Sequence, residues 1–197
     1  MERNLGLAGA TVTVLGSVLF IVAAFLPISM RVFPETSPAK KLESIEAALG
    51  QWQAAQVLFG AGAVVTVLGI ALYAMSLRRE AFAPLVWTSV ALLALAVVPW
   101  LWQVVARAAD PERFAQGRSP TWAYLASFLV TEAGLAALGM ALLSSPLPAW
   151  LGWALIVYVA LLAVLTLVFR DMPPFAFYLA TLVVGVVLLF RSGASSA

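Results

Sequence analysis

The chain has 197 residues, of which 63% are hydrophobic and 10% charged; a soluble domain is about half apolar and about a quarter charged, so composition excludes an ordinary water-facing surface and predicts one membrane-embedded helical bundle. The absence of Cys and His excludes disulfides and thiolate chemistry, and removes the commonest metal ligand and the usual general base. A net charge of +2, from 11 basic and 9 acidic residues, is too small and too scattered for a nucleic-acid binder, and predicts lipid headgroups as the partner of the basic residues.

Six apolar runs follow in chain order: Leu5–Leu26, Trp52–Leu77, Phe82–Ala106, Pro120–Leu143, Trp150–Phe169 and Pro174–Phe190. Each is near or above the length that crosses hydrocarbon, and in lipid each must be a helix because every backbone group needs an internal partner. The first run is longer than the core of a secretory signal and reads as a retained span. The expected fold is all-α, a single polytopic bundle of about six helices.

The connections alternate in length. Between the first two runs, Ser37-Pro38 is a helix start, with Ser37 as N-cap and Pro38 at the first helical position. Leu42, Ile45, Leu49 and Trp52 then recur at helical spacing among Lys40, Lys41, Glu43 and Glu46, which predicts a short amphipathic helix in the interface leading into the second span. The third connection, from Arg107 to Ser119, contains Asp110-Pro111-Glu112-Arg113-Phe114 with Asp110 as a cap, and Ser119-Pro120 repeats the device before the fourth span. The second, fourth and fifth connections are short. With six spans the first, third and fifth share one face, the long-loop face, and carry seven basic residues against four on the other. A plain positive-inside count puts that face in the cytoplasm. The local density of Arg78-Arg79 and the basic termini argue for cytoplasmic termini instead, which is the orientation expected here.

Gly9-Ala10-Thr11-Val12-Thr13-Val14-Leu15-Gly16 nearly repeats as Gly62-Ala63-Val64-Val65-Thr66-Val67-Leu68-Gly69. Such a repeat fits transporter architecture, and equally two antiparallel spans that pack through small residues on one face.

Glu132 lies near the middle of the fourth run, where a carboxylate is costly and normally faces the bundle with a partner. One reading makes it a coupling site for protons or cations; the other, a neutral glutamic acid hydrogen-bonded to a neighbouring helix. Leu125, Phe128, Ala136 and Gly139 share its face. Toward the long-loop end gather Gln56 of the second run, Trp100, Trp102, Gln103 and Arg107 of the third, and Trp122 and Tyr124 of the fourth. Pro99 cannot donate a backbone hydrogen bond and frees a carbonyl near Leu95. These residues are candidates to line an aromatic, amide-rich ligand pocket with Glu132 below it. The competing reading is an interfacial aromatic belt, with Trp87, Trp150 and Trp153 at the opposite interface. Arg170-Asp171 is read as an interfacial pair, closing on itself or on Arg107 or Asp110, or snorkelling to water. No Walker-type loop, His-Glu metal motif, Gly-x-Ser-x-Gly elbow, intramembrane aspartate pair, arginine ladder or potassium-type filter occurs.

Leu147-Pro148-Ala149-Trp150-Leu151-Gly152-Trp153, with Asp171-Met172-Pro173-Pro174-Phe175 before a short last span, resembles a turn in small uncharacterised multi-pass proteins of bacteria and archaea. The resemblance covers the last third of the chain and implies a prokaryotic inner-membrane protein, without implying an activity. The expected function is non-enzymatic and without cofactor or metal: an accessory subunit contacting other membrane protein subunits, or a binder of a small lipophilic ligand. The alternative is a small secondary transporter coupled through Glu132; a lipid-modifying enzyme lacks a clear nucleophile or metal.

Overall fold

The computed structural model describes residues 2–119, 121–169 and 173–194, with side chains for 4–119, 121–168 and 173–191. Within them the chain is all helix and turn: α1 (Glu2–Phe25), α2 (Pro27–Val32), α3 (Pro38–Glu46), α4 (Leu49–Ser76), α5 (Ala83–Ala109), α6 (Pro111–Ala115), α7 (Thr121–Leu143), α8 (Ala149–Phe169) and α9 (Phe175–Ala194). Helices α1, α4, α5, α7 and α8 are long and apolar enough to cross a membrane, and α9 is a shorter apolar helix. The protein is thus an all-α bundle of membrane type, and its boundaries lie within a few residues of the apolar runs.

Helix packing runs α9–α1–α4–α5–α7–α8, and the ring nearly closes between α8 and α9, which touch little. Lipid tails are as apolar as leucine, so the helices associate through close backbone approach and interhelical hydrogen bonds rather than through a hydrophobic drive. The near-repeat is the tightest such contact. Gly9, Thr13, Gly16 and Phe20 of α1 lie against Tyr73, Gly69, Thr66 and Gly62 of α4, a local two-fold arrangement in which each octapeptide faces the other head to tail. Thr13 and Thr66 both return their hydroxyls to the carbonyl four residues back, Gly9 and Gly62, at 2.8 Å. A methyl carbon at Gly62 would sit 2.7 Å from the Phe20 nitrogen and 2.9 Å from the Gly16 carbonyl oxygen. Of the two readings of the repeat, the arrangement matches the antiparallel packing one.

Glycine also serves the other seams. Gly134 meets Leu93 between α7 and α5, Gly139 meets Gly152 and Ile156 between α7 and α8, and Gly185 meets Val14 between α9 and α1. The hydroxyls of Ser17 and Thr181 bond across α1 and α9 at 2.8 Å.

The long connections differ in part from expectation. Pro27 begins a further helix, α2, rather than a loop. The residue before a proline avoids the helical region, so α1 stops at Phe25 and the chain turns at Leu26. The Ser29 hydroxyl holds that bend by donating to the Ala23 carbonyl at 2.7 Å. Helix α3 starts at Pro38 as expected, but the Ser37 side chain makes no capping bond; its backbone N–H donates to Glu35 Oε1 at 2.7 Å instead. Leu49 starts α4 after a short turn, and of the apolar stripe on α3 only Ile45 is buried. Asp110 does cap α6, its Oδ1 accepting from the Arg113 N–H at 2.9 Å. Pro99 sits inside an unbroken α5, and the Ser127 hydroxyl of α7 donates at 3.1 Å to the Ala96 carbonyl, one residue beyond the Leu95 carbonyl that the proline frees. Helices α2, α3 and α6 meet one another and cover the long-loop end of the bundle. Pro120, Arg170, Asp171 and Met172 lie outside the described residues, and with them the pairing expected of Arg170-Asp171.

Candidate functional site

Beneath that cover lies a cavity of about 510 Å³, lined by residues of α1, α2, α3, α4, α5, α6, α7 and α9. Its walls are aromatic: Phe33, Phe59, Trp100, Phe114, Tyr124 and Phe175. Two cations, Lys41 and Arg107, stand among them, and the described lining contains no carboxylate. This size and make-up fall in the range of small-molecule sites, which combine apolar walls with a few fixed polar groups.

The walls are locked by bonds that two buried tryptophans donate. Trp52 Nε1–H donates to the Arg107 carbonyl at 3.0 Å, and Trp100 Nε1–H to the Phe59 carbonyl at 3.4 Å. Both tie α4 to α5. Stacked and edge-on rings continue the lock: Trp52 lies 5.2 Å from Phe114, Phe33 lies 5.7 Å from Trp52, and Phe20 lies 4.9 Å from Phe59. Arg107 is 8% exposed. Its guanidinium carbon is 5.3 Å from the ring centre of Phe114, 5.6 Å from Trp100 and 5.9 Å from Phe33, all within cation–π reach. One amino group, Nη2, donates to Gln103 Oε1 at 2.9 Å, one turn back on α5. Lys41 Nζ reaches over the other side of the cover, 5.4 Å from the same Phe114 ring.

Of the residues singled out from the sequence, Trp100, Arg107 and Tyr124 come together on this cavity. Gln103 stands behind the wall as the hydrogen-bond acceptor of Arg107. Gln56 is buried between α4 and α5 beside a separate groove, and neither of its amide atoms has a hydrogen-bond partner. Trp102 and Trp122 point away, at 64% and 68% exposure. Their exposure at the long-loop end, and that of Trp87, Trp150 and Trp153 at the other, is what an aromatic belt requires. Five tryptophans are thus exposed, as the belt reading expects, while Trp100 lines the cavity and Trp52 stacks behind it on Phe114.

Glu132 does not line the pocket. It is 4% exposed, and its Oε1 accepts from the Thr166 hydroxyl of α8 at 2.8 Å. A cleft of about 30 Å³ between α1, α4, α5, α7 and α9 shares Trp100 and Pro174 with the pocket and carries the hydroxyl-bearing residues Thr66, Ser127, Thr131, Tyr178 and Thr181. That space is about one water in size.

Phe33, Lys41, Phe59 and Phe114 were not among the candidates. Phe59 carried a signal, since it follows Trp52 by seven and Gln56 by three and so shares their helix face. Phe114 lay in the capped segment after Asp110. Phe33 and Lys41 reach the site only because α2 and α3 fold over the bundle end. No family model matches the chain, and no curated protein or solved structure does either.

Proposed function

We propose that the chain is a non-enzymatic protein of a prokaryotic inner membrane, with cytoplasmic termini, that binds a small lipophilic ligand in the pocket at its long-loop end. The observation that carries this reading is the built cavity itself: about 510 Å³, roofed by three short helices, with six aromatic walls and two cations. A bundle that served only as packing would close such a space, because voids forfeit dispersion contacts. Placement at the interface also suits the ligand, since the pocket opens among exposed apolar residues, Met30 and Phe33, where a molecule leaves the bilayer without crossing water. The Glu132 contact supports a packing role for that residue, as its partner is a threonine of the adjacent helix and it lines neither the pocket nor the cleft that adjoins it.

The test is purification from the native membrane in mild detergent, followed by native mass spectrometry. The reading expects the protein with one small molecule bound, and loss of that mass in Ala24→Phe, which fills the pocket from α1. A stoichiometric protein partner in place of a ligand makes the chain an accessory subunit and overturns the reading.

A further inference from the structure

We infer that the hydroxyl-bearing cleft between α1, α4, α5, α7 and α9 is a water site: bound water sits midway through the apolar bundle, held by Thr66, Ser127, Thr131 and Thr181. The inference goes beyond the reading of the pocket and stands whether or not the pocket is filled.

The cleft measures about 30 Å³, above the roughly 10–15 Å³ that one water needs. Size alone does not hydrate a cavity, since an apolar one stays dry and a water needs several polar partners. Hydroxyls from three helices supply them here: Thr66 of α4, Ser127 and Thr131 of α7, and Thr181 of α9. Their own protons go to backbone. Thr66 donates to the Gly62 carbonyl at 2.8 Å and Ser127 to the Ala96 carbonyl at 3.1 Å. Thr131 donates to the Ser127 carbonyl at 2.7 Å and Thr181 to the Tyr178 carbonyl at 3.2 Å. A hydroxyl that donates keeps its lone pairs as acceptors. The cleft therefore offers acceptors to a guest that donates, and water donates twice. Packed rings hold the walls apart: Phe20 stacks on Tyr178 with ring centres 3.6 Å apart, and Phe128 meets Phe177 edge-on at 5.0 Å. All four of these residues line the cleft. Access comes from the long-loop end, because Trp100 and Pro174 belong to the linings of both cleft and pocket. An occupant of the pocket with a hydrogen-bonding group at its inner end then meets water rather than a dry aromatic wall.

The full chain, with isotope-labelled threonine, is placed in bilayers of chain-deuterated phosphatidylcholine, and the transfer of magnetisation from water protons to each threonine methyl is followed by solid-state NMR. Two threonines serve as references. Thr36 is exposed in the link between α2 and α3, and Thr11 is exposed on the apolar face of a span. Thr66 and Thr181, both buried, are expected to receive water magnetisation at a rate close to that of Thr36 and well above that of Thr11. Ala63→Val enlarges a buried side chain of the cleft wall. It is expected to abolish transfer to Thr66 and Thr181 and to leave transfer to Thr36 unchanged. Thr131→Val keeps the volume, removes one acceptor and is the milder variant; it is expected to lower the same two signals in a protein that folds as the wild type does. Thr66 and Thr181 as dry as Thr11 in the wild type would overturn the water site and leave the pocket reading untouched. Transfer undiminished in both folded variants places the water outside the cleft and overturns it equally.

Discussion

Glu132 shows how much a single contact decides. From the sequence it is a carboxylate in mid-span, open to a coupling role or a packing role. In the fold it accepts a hydrogen bond from Thr166 across the α7–α8 seam and is not among the residues that line the hydroxyl-bearing cleft. A packing role makes a definite prediction. Glu132→Gln retains an acceptor for Thr166, so ligand binding in the pocket stays at wild-type strength and the thermal midpoint falls only slightly. Thr166→Val removes the donor and costs about 0.6 kcal/mol, the usual size of an interhelical hydrogen bond in a membrane. Both are read by denaturation in mild detergent, and a coupling role would instead show as loss of a proton-dependent flux in Glu132→Gln with folding intact. Arg107 is the converse case. Its position at the end of the third apolar run was legible, because basic residues mark span ends. Trp100, two turns back on the same helix, was legible with it; the enclosure of Arg107 by Phe33 and Phe114 was not, since those rings come from connections whose folding over the bundle end no local pattern shows.

Among the elements, what could be read in advance is what depends on local composition. The spans are long apolar runs, and α4, α5, α7 and α8 begin and end within three residues of them. Capping by Asp110 follows from an Asp-Pro step. Helix α2 escaped because Pro27 reads as a breaker, whereas here it occupies the first turn of a new helix, where its missing N–H costs nothing. The octapeptide repeat was visible, but its meaning needed the fold: only the antiparallel pairing of α1 and α4 brings Gly16 to Thr66 and Gly62 to Phe20. This seam gives the sharpest stability prediction. A side chain at Gly16 would meet the Thr66 backbone and lie 2.6 Å from its Oγ1, and backbone cannot move aside as a flexible side chain can. Gly16→Val is expected to cost about 3 kcal/mol or more, at the upper end of overpacking. Gly50 begins α4 with open space around it, so Gly50→Ala is the matched control, neutral or stabilising by up to about 1 kcal/mol. Equal loss of stability in both variants, measured by chemical denaturation, would contradict a glycine-built seam.

For the whole molecule, helices in a ring leave the bilayer to accept the outward apolar faces, while three short helices roof one end. Charge and aromatic residues follow that polarity. The belt tryptophans sit at both ends and the basic long connections at one. The proposed orientation, termini inside, is open to direct test because the native chain has no cysteine, so single introduced thiols label cleanly. Lys40→Cys on α3 is expected to react with a membrane-impermeant maleimide in intact cells, and Glu80→Cys in the α4–α5 turn only after permeabilisation. The reverse pattern inverts the topology and leaves the fold and pocket untouched.

The claim on which the account turns is that the roofed aromatic cavity takes up a lipophilic molecule. The most direct measurement is photo-crosslinking in native membranes with an alkyl diazirine probe, followed by peptide mapping of the adducts. Adducts are expected to concentrate on residues 29–34 and 100–114, to be suppressed by excess of the same alkyl chain without the diazirine, and to be lost in Ala24→Phe. Adducts spread along the outward face of α8, at Val157, Leu161 and Val164, with none competed from the pocket, would contradict it.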